Sequence, residues 1–144
     1  MQRALAASVS VDSNVVGAID RGLVAFVGAQ AGDTDDDLDY VVRKIVELRV
    51  FEDERGKMAR ALADVGGGLL LISQFTLFGD VRRGNRPSFD LAMPPLEAKP
   101  AFERFVEKVR ARVPAVQTGI FAADMRVSVE NDGPVTILLD SRAR

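Results

Sequence analysis

Chemistry in this chain is first suggested where a buried-strand pattern runs abruptly into hydroxyls and an amide. Residues 64–78 read Asp-Val-Gly-Gly-Gly-Leu-Leu-Leu-Ile-Ser-Gln-Phe-Thr-Leu-Phe. The apolar run Leu69–Ile72 follows a glycine breaker, as a short strand buried on both faces does. Ser73, Gln74 and Thr76 then arrive within four positions. Such side chains either bond to nearby backbone at a strand end or are presented to a ligand. On chemistry alone the strand end is the simpler reading. Thr76 is the obvious side-chain nucleophile, but it has no recognisable base beside it. Asp80 is the nearest carboxylate, and it falls past Gly79 in a loop.

Composition narrows what these residues could do. The chain has no His and no Cys, which removes Ser-His-Asp and Cys-His catalysis, imidazole metal ligands and disulfides. Any hydrolysis must therefore run without an imidazole base. The net charge is −2, so a nucleic-acid partner would have to meet a local basic patch, not an overall field. At 144 residues with 47% hydrophobic and 28% charged side chains, the chain reads as one globular domain over residues 1–144. No apolar run approaches the about 18 residues of a membrane span, and Met1–Ala7 lacks the core of a signal peptide. The expected setting is cytoplasmic, with no membrane, metal or cofactor.

Several elements have to position the 73–76 stretch. Leu5, Ala7, Val9 and Val11 alternate with smaller and polar residues, a half-buried strand. Asp12-Ser13-Asn14 turns the chain into a partner strand, Val15–Ile19. Gly22 opens a further buried strand, Leu23–Val27. The acidic run Asp33–Asp37 resembles an interaction patch but is better explained as a helix start, with Asp33 or Thr34 capping and carboxylates at the positive end. Leu38, Val41, Val42, Ile45 and Leu48 recur at three and four, which predicts an amphipathic helix over 34–48. Val50-Phe51 reads as a short strand and 69–77 as a longer one. A second helix is expected from about Glu97, with Pro100 confined to its first turn and Phe102, Phe105, Val106, Val109 and Val113 facing the core.

Two further stretches bear on function. Arg82, Arg83 and Arg86 cluster in the loop Gly79–Phe89, directly after Thr76. Exposed arginines are often only a solvated face, yet three Arg and no Lys favour phosphate contacts. Near the C-terminus, Met125, Val127 and Val129 alternate as a strand. Asn131-Asp132-Gly133 then reads as a hairpin turn, with Val135–Leu139 as the return strand.

Ser73-Gln74-Phe75-Thr76-Leu77 and Asn131-Asp132-Gly133-Pro134-Val135-Thr136, in that order with the Arg loop between them, resemble the D-aminoacyl-tRNA deacylases of bacteria and eukaryotes. The likeness extends to Gln2-Arg3, to residues 82–89 and to Phe121-Ala122-Ala123-Asp124-Met125, and so covers nearly the whole chain. It departs in two places. Met1 stands almost directly before Gln2-Arg3, which predicts a shortened first strand, and Lys57-Met58-Ala59-Arg60-Ala61 lacks the expected polar residues.

The resemblance implies an α+β, β-rich homodimer with a compact barrel-like sheet core and two packed helices. It implies hydrolysis of the ester joining a D-amino acid, or glycine, to the terminal adenosine of tRNA, with L-aminoacyl-tRNA excluded. By the same likeness Ser73, Gln74, Phe75 and Thr76 form the reaction centre, and the Phe75 and Thr76 N–H groups are candidate oxyanion donors. Gly133 and Pro134, joined by a cis bond in the family, would reach into the neighbouring subunit as the chirality filter. Phe121 and Met125 would wall the pocket, Arg3 would brace the Gly-Pro turn, and Arg82, Arg83 and Arg86 would hold tRNA. The reaction could use Thr76 or the tRNA's own 2′-hydroxyl. The competing class is a non-catalytic β-rich dimer that binds tRNA or another ligand through the Arg loop.

Overall fold

The computed structural model describes all residues, 1–144. Its organising element is β1 (Gln2–Val11), which is paired along both edges. One edge is shared: β3 (Gly22–Val27) takes Gln2–Ala4, and β2 (Asn14–Ile19) takes Ala7–Val11. The other edge belongs to β8 (Arg126–Thr136). Beyond β3 the sheet continues in parallel through β6 (Gly68–Ser73) to β7 (Val116–Thr118). The mixed sheet curls nearly closed. At the seam, a Cβ on Gly17 would stand only 2.7 Å from the Thr118 carbonyl oxygen, so β2 can approach β7 only because that position is glycine.

Curling divides the apolar side chains into two cores. Inside the barrel lie Ala7, Val9, Ile19, Val24, Leu70 and Ile72. On the outer face of β3 and β6, Leu23, Leu69 and Leu71 pack against the two helices. This is why the runs 23–27 and 69–72 read as apolar on both faces. Helix α1 (Asp35–Glu47) starts from Thr34, whose N–H donates to Asp37 Oδ2 at 2.8 Å, and it buries Val42, Ile45 and Val46. Helix α2 (Pro95–Arg110) buries Ala101, Phe105, Val106 and Val109. The helices are also tied by a Lys108–Asp39 pair, and Arg112, just past α2, pairs with Glu47, each at 2.7 Å. A small hairpin of β4 (Phe51–Glu52) and β5 (Met58–Arg60) lies outside the main sheet. Neither helix is long and apolar enough to cross a membrane.

The structure corrects several expectations. The strand expected over 69–77 stops at Ser73, and Phe75–Phe78 coils into a 3-10 turn. Helix α2 begins at Pro95, which places Pro100 inside the helix; the missing N–H is the one that would reach the Leu96 carbonyl. Leu5 is exposed, because the β1–β8 register slips between Ala4 and Ala6 and rotates it outward.

The largest change concerns Asn131–Gly133, which does not reverse the chain. β8 continues along β1 with Asn131 opposite Ala4 and Thr136 opposite Gln2. Five steps on β8 thus answer two on β1, and residues 132–135 bulge out. Asn131 closes the bulge, its Oδ1 accepting from the Val135 N–H at 2.9 Å and its Nδ2 donating to Thr136 Oγ1 at 3.0 Å. Val135–Leu139 is therefore no return strand.

Candidate active site

The end of β6 becomes a site because the sheet stops supporting it there. The Gln74 N–H still bonds the Val27 carbonyl at 2.8 Å, which holds the chain to the end of β3. Gln74 is extended, and Phe75–Phe78 then forms the 3-10 turn without a side-chain cap. The leading N–H groups of such a turn, those of Phe75 and Thr76, have no intrahelical acceptor. They project where the strand's own hydrogen bonding has ended. Gln74 Nε2 donates to Thr76 Oγ1 at 3.0 Å, which fixes the hydroxyl as an acceptor toward Gln74 and leaves its proton to be given elsewhere.

This turn lies in the wall of a cavity of about 850 Å³ between the ends of β3 and β6 and helix α2. Ser73, Gln74, Phe75, Thr76, Phe121 and Met125 all line it, so six of the residues singled out in the sequence come together. Apolar residues dominate the rest, with Phe26, Leu38, Met93 and Phe102 among them. Phe102 was expected in the core stripe. It is half-buried and faces Phe121, with ring centroids 6.3 Å apart. It packs against the helix-side core as the stripe predicts, and like Phe105 it also lines the cavity, which helical spacing could not show. Asp90, to which the sequence drew no notice, and Asp124, from the stretch Phe121–Met125, also line the cavity. No cluster of three or more acidic side chains is placed to hold a metal ion.

Arg3, Gly133 and Pro134 lie outside that cavity. Arg3 is only 5% exposed and spans three elements. Its Nη1 donates to the Val50 carbonyl at 2.7 Å, its Nε to the Asp132 carbonyl at 3.2 Å, and Nη2 lies 3.8 Å from Glu52. Gly133 sits on top of this guanidinium with φ +125°, and a Cβ there would stand 3.1 Å from Arg3 Nη2. The Gly133–Pro134 bond is cis, and both residues are exposed. Val127 also lines the cavity, and four steps of strand separate it from Asn131, about 14 Å at 3.4 Å per residue. The bulge is thus well removed from the cavity of its own chain.

The Arg loop divides its three members. Asp80 and Ser88 bridge the neck, exchanging N–H···O bonds of 2.7 and 2.9 Å. Arg82 folds back onto Asp80, with Nη2–Oδ2 at 2.6 Å and Nε–Oδ1 at 2.9 Å. Hydrogen bonds from the Arg82 side chain, then from its N–H, hold the Asp80 carboxyl at about 2. Arg83 and Arg86 form no ion pair and are exposed.

Comparison with known proteins accords with this geometry. Residues 1–140 match the family described as D-Tyr-tRNA(Tyr) deacylase. A D-aminoacyl-tRNA deacylase of Sorangium cellulosum (strain So ce56) is 66% identical over 143 residues, covering 99% of this chain and 95% of the relative. One from Kosmotoga olearia is 56% identical over 142 residues, with coverage of 99% and 95%. Among solved structures, the c-Myc DNA Unwinding Element Binding Protein superposes with a TM-score of 0.89 at 43% identity, covering 94% of this chain and 93% of that one. A probable eukaryotic D-amino acid tRNA deacylase superposes with a TM-score of 0.78 at 18% identity over 92% of each chain, a likeness of fold alone. A match of this length at these identities leaves one placement: the chain belongs to the D-Tyr-tRNA(Tyr) deacylase family.

Proposed function

We propose that this protein is a hydrolase that cleaves the ester between a D-amino acid, or glycine, and the terminal adenosine of tRNA, and that it leaves L-aminoacyl-tRNA intact. The observation that carries the reading is the uncapped Phe75–Phe78 turn in the wall of the cavity, with the Phe75 and Thr76 N–H groups unclaimed. Ester hydrolysis develops negative charge on the carbonyl oxygen, and fixed N–H donors stabilise that charge without reorganising. Water adds to the carbonyl carbon, the carbon–oxygen bond to the ribose breaks, and the ribose oxygen leaves as a hydroxyl. Thr76 Oγ1 is held by Gln74 with no base beside it, so the water's proton passes to the vicinal 2′-hydroxyl of the tRNA as that hydroxyl gives its own proton to the departing ribose oxygen.

The chirality filter is the Gly133–Pro134 bulge of a second copy. Within one chain it lies far from the cavity and is exposed, and a homodimer would bring it over the partner's turn. Its carbonyls would accept the α-amine, so that an L side chain meets the bulge and a D side chain or hydrogen points away. Arg83 and Arg86 take tRNA phosphates, with Arg82 in reserve behind Asp80. The alternative, a non-catalytic dimer that binds tRNA through the Arg loop, accounts for the arginines but not for the unclaimed donors in the cavity. Release of free tyrosine from D-Tyr-tRNA against L-Tyr-tRNA tests the proposal. Selective release from the D-ester is expected; no release from either would leave only the binding module.

A further inference from the structure

The cavity rim carries an aromatic pair that ester hydrolysis does not require. Phe75 and Phe89 meet edge to face, with ring centroids 5.1 Å apart and planes at 75°. Such pairs usually sit in cores, yet here Phe75 is 57% exposed and Phe89 36%. Both line the cavity, so they stand where it opens to solvent. Keeping two rings in water forgoes about 25 cal/mol for every Å² left uncovered.

These rings are held in place. Phe75 begins the 3-10 turn. Phe89 packs over Gly79, where a Cβ would come within 3.1 Å of its ring. The Asp80–Ser88 bridge closes the loop immediately before Phe89, and that loop carries Arg83 and Arg86. Asp80 is paired with Arg82, while Asp90 accepts from the Ser88 hydroxyl at 2.7 Å and forms no ion pair with either remaining arginine. One bridged loop thus carries two guanidiniums without ion pairs and leads directly into Phe89. Rings that stack bases beside cations that meet phosphates are the means by which proteins hold single-stranded nucleic acid.

We infer that the Phe75–Phe89 rim is a stacking subsite for the nucleotide that precedes the terminal adenosine, with Arg83 and Arg86 on the phosphates 5′ of it. The inference rests on the deacylase reading and extends it outward by one nucleotide.

The test compares kcat/KM for D-tyrosyl esters of adenosine, of cytidylyl-adenosine, and of the same dinucleotide with an abasic first residue. The unmodified protein should favour the cytidylyl ester about tenfold over both others, the size of one base–aromatic stack. Phe89→Leu, which keeps an apolar side chain over Gly79, should bring that ratio close to one, and Phe89→Trp should preserve it. The abasic comparison reads the stack in the unmodified protein even if Phe89→Leu fails to fold. Equal turnover of all three esters, or an unchanged ratio in folded Phe89→Leu, overturns the subsite alone. Loss of the dimer on Phe89→Leu with no change in ratio would assign the rim to a second copy and overturn it too. Failure of every ester and of D-Tyr-tRNA overturns the deacylase reading and the subsite together.

Discussion

Arg3 Nε lies 3.2 Å from both the carbonyl oxygen and Oδ2 of Asp132, so the second residue of β1 clamps the base of the β8 bulge across nearly the whole length of the chain. The same guanidinium also bonds the Val50 carbonyl. Bulge, strand and helix-side loop therefore share a single buried donor group.

Replacing that group should unfix the bulge before it unfolds the protein. Arg3→Ala leaves the Val50 and Asp132 acceptors unpaired at a site that is almost fully buried, a loss on the order of 2–3 kcal/mol. Arg3→Lys keeps the charge but cannot span the three elements. Both variants should melt earlier in calorimetry, and both should lose discrimination between D- and L-Tyr-tRNA. Full discrimination in Arg3→Lys would separate the clamp from the filter.

Thr76→Ala should retain activity within about tenfold, because the proposed oxyanion donors are backbone N–H groups that survive the change. Replacing the 2′-hydroxyl of the terminal adenosine by hydrogen should cost a hundredfold or more, the scale of losing a well-placed group in the transition state. Single-turnover hydrolysis of the two substrates reads both effects. A dead Thr76→Ala protein with an active 2′-deoxy substrate would make Thr76 the nucleophile.

Asp80 and Arg82 predict a pH window. The Asp80 carboxyl is held at about 2, below its ordinary 3.8, by the Arg82 side chain and N–H. A depressed carboxyl favours the folded loop above the unfolded value, and the benefit fades as pH falls from about 3.8 through about 2. Carbon-detected titration should place the Asp80 midpoint near 2. In Arg82→Ala it should climb toward 3.8.

The same pairing ranks the three arginines for tRNA. Arg83→Ala with Arg86→Ala should flatten the salt dependence of tRNA binding by about one to two in the log–log slope. Arg82→Ala should change it little, since that charge is already met by Asp80. Asp80→Asn should steepen it by freeing Arg82. Filter binding across a salt series measures all three, and an equal effect of each arginine would contradict the clasp.

The chain's own pattern was enough to place much of this fold. Alternation in 5–11, the apolar runs at 23–27 and 69–72 and the Thr34 helix start are signals carried by adjacent residues, and each became the expected kind of element. The Ser73–Thr76 stretch was legible as a strand end for the same reason: polar side chains that end an apolar run must leave the core, and these line the cavity. What only tertiary structure decided depends on distant partners. Asn131-Asp132-Gly133 has the composition of a hairpin, but β1 offers paired backbone on both sides of it, 127 residues from Ala4 to Asn131. Those ladder bonds outweigh the local turn preference, so the glycine becomes the crest of a bulge. Phe102 packs against the helix-side core as the stripe implies, yet it also borders the cavity, because the position of Phe121 decides what its open side meets. Spacing along a chain states which residues share a face; only the packed neighbours state what that face meets.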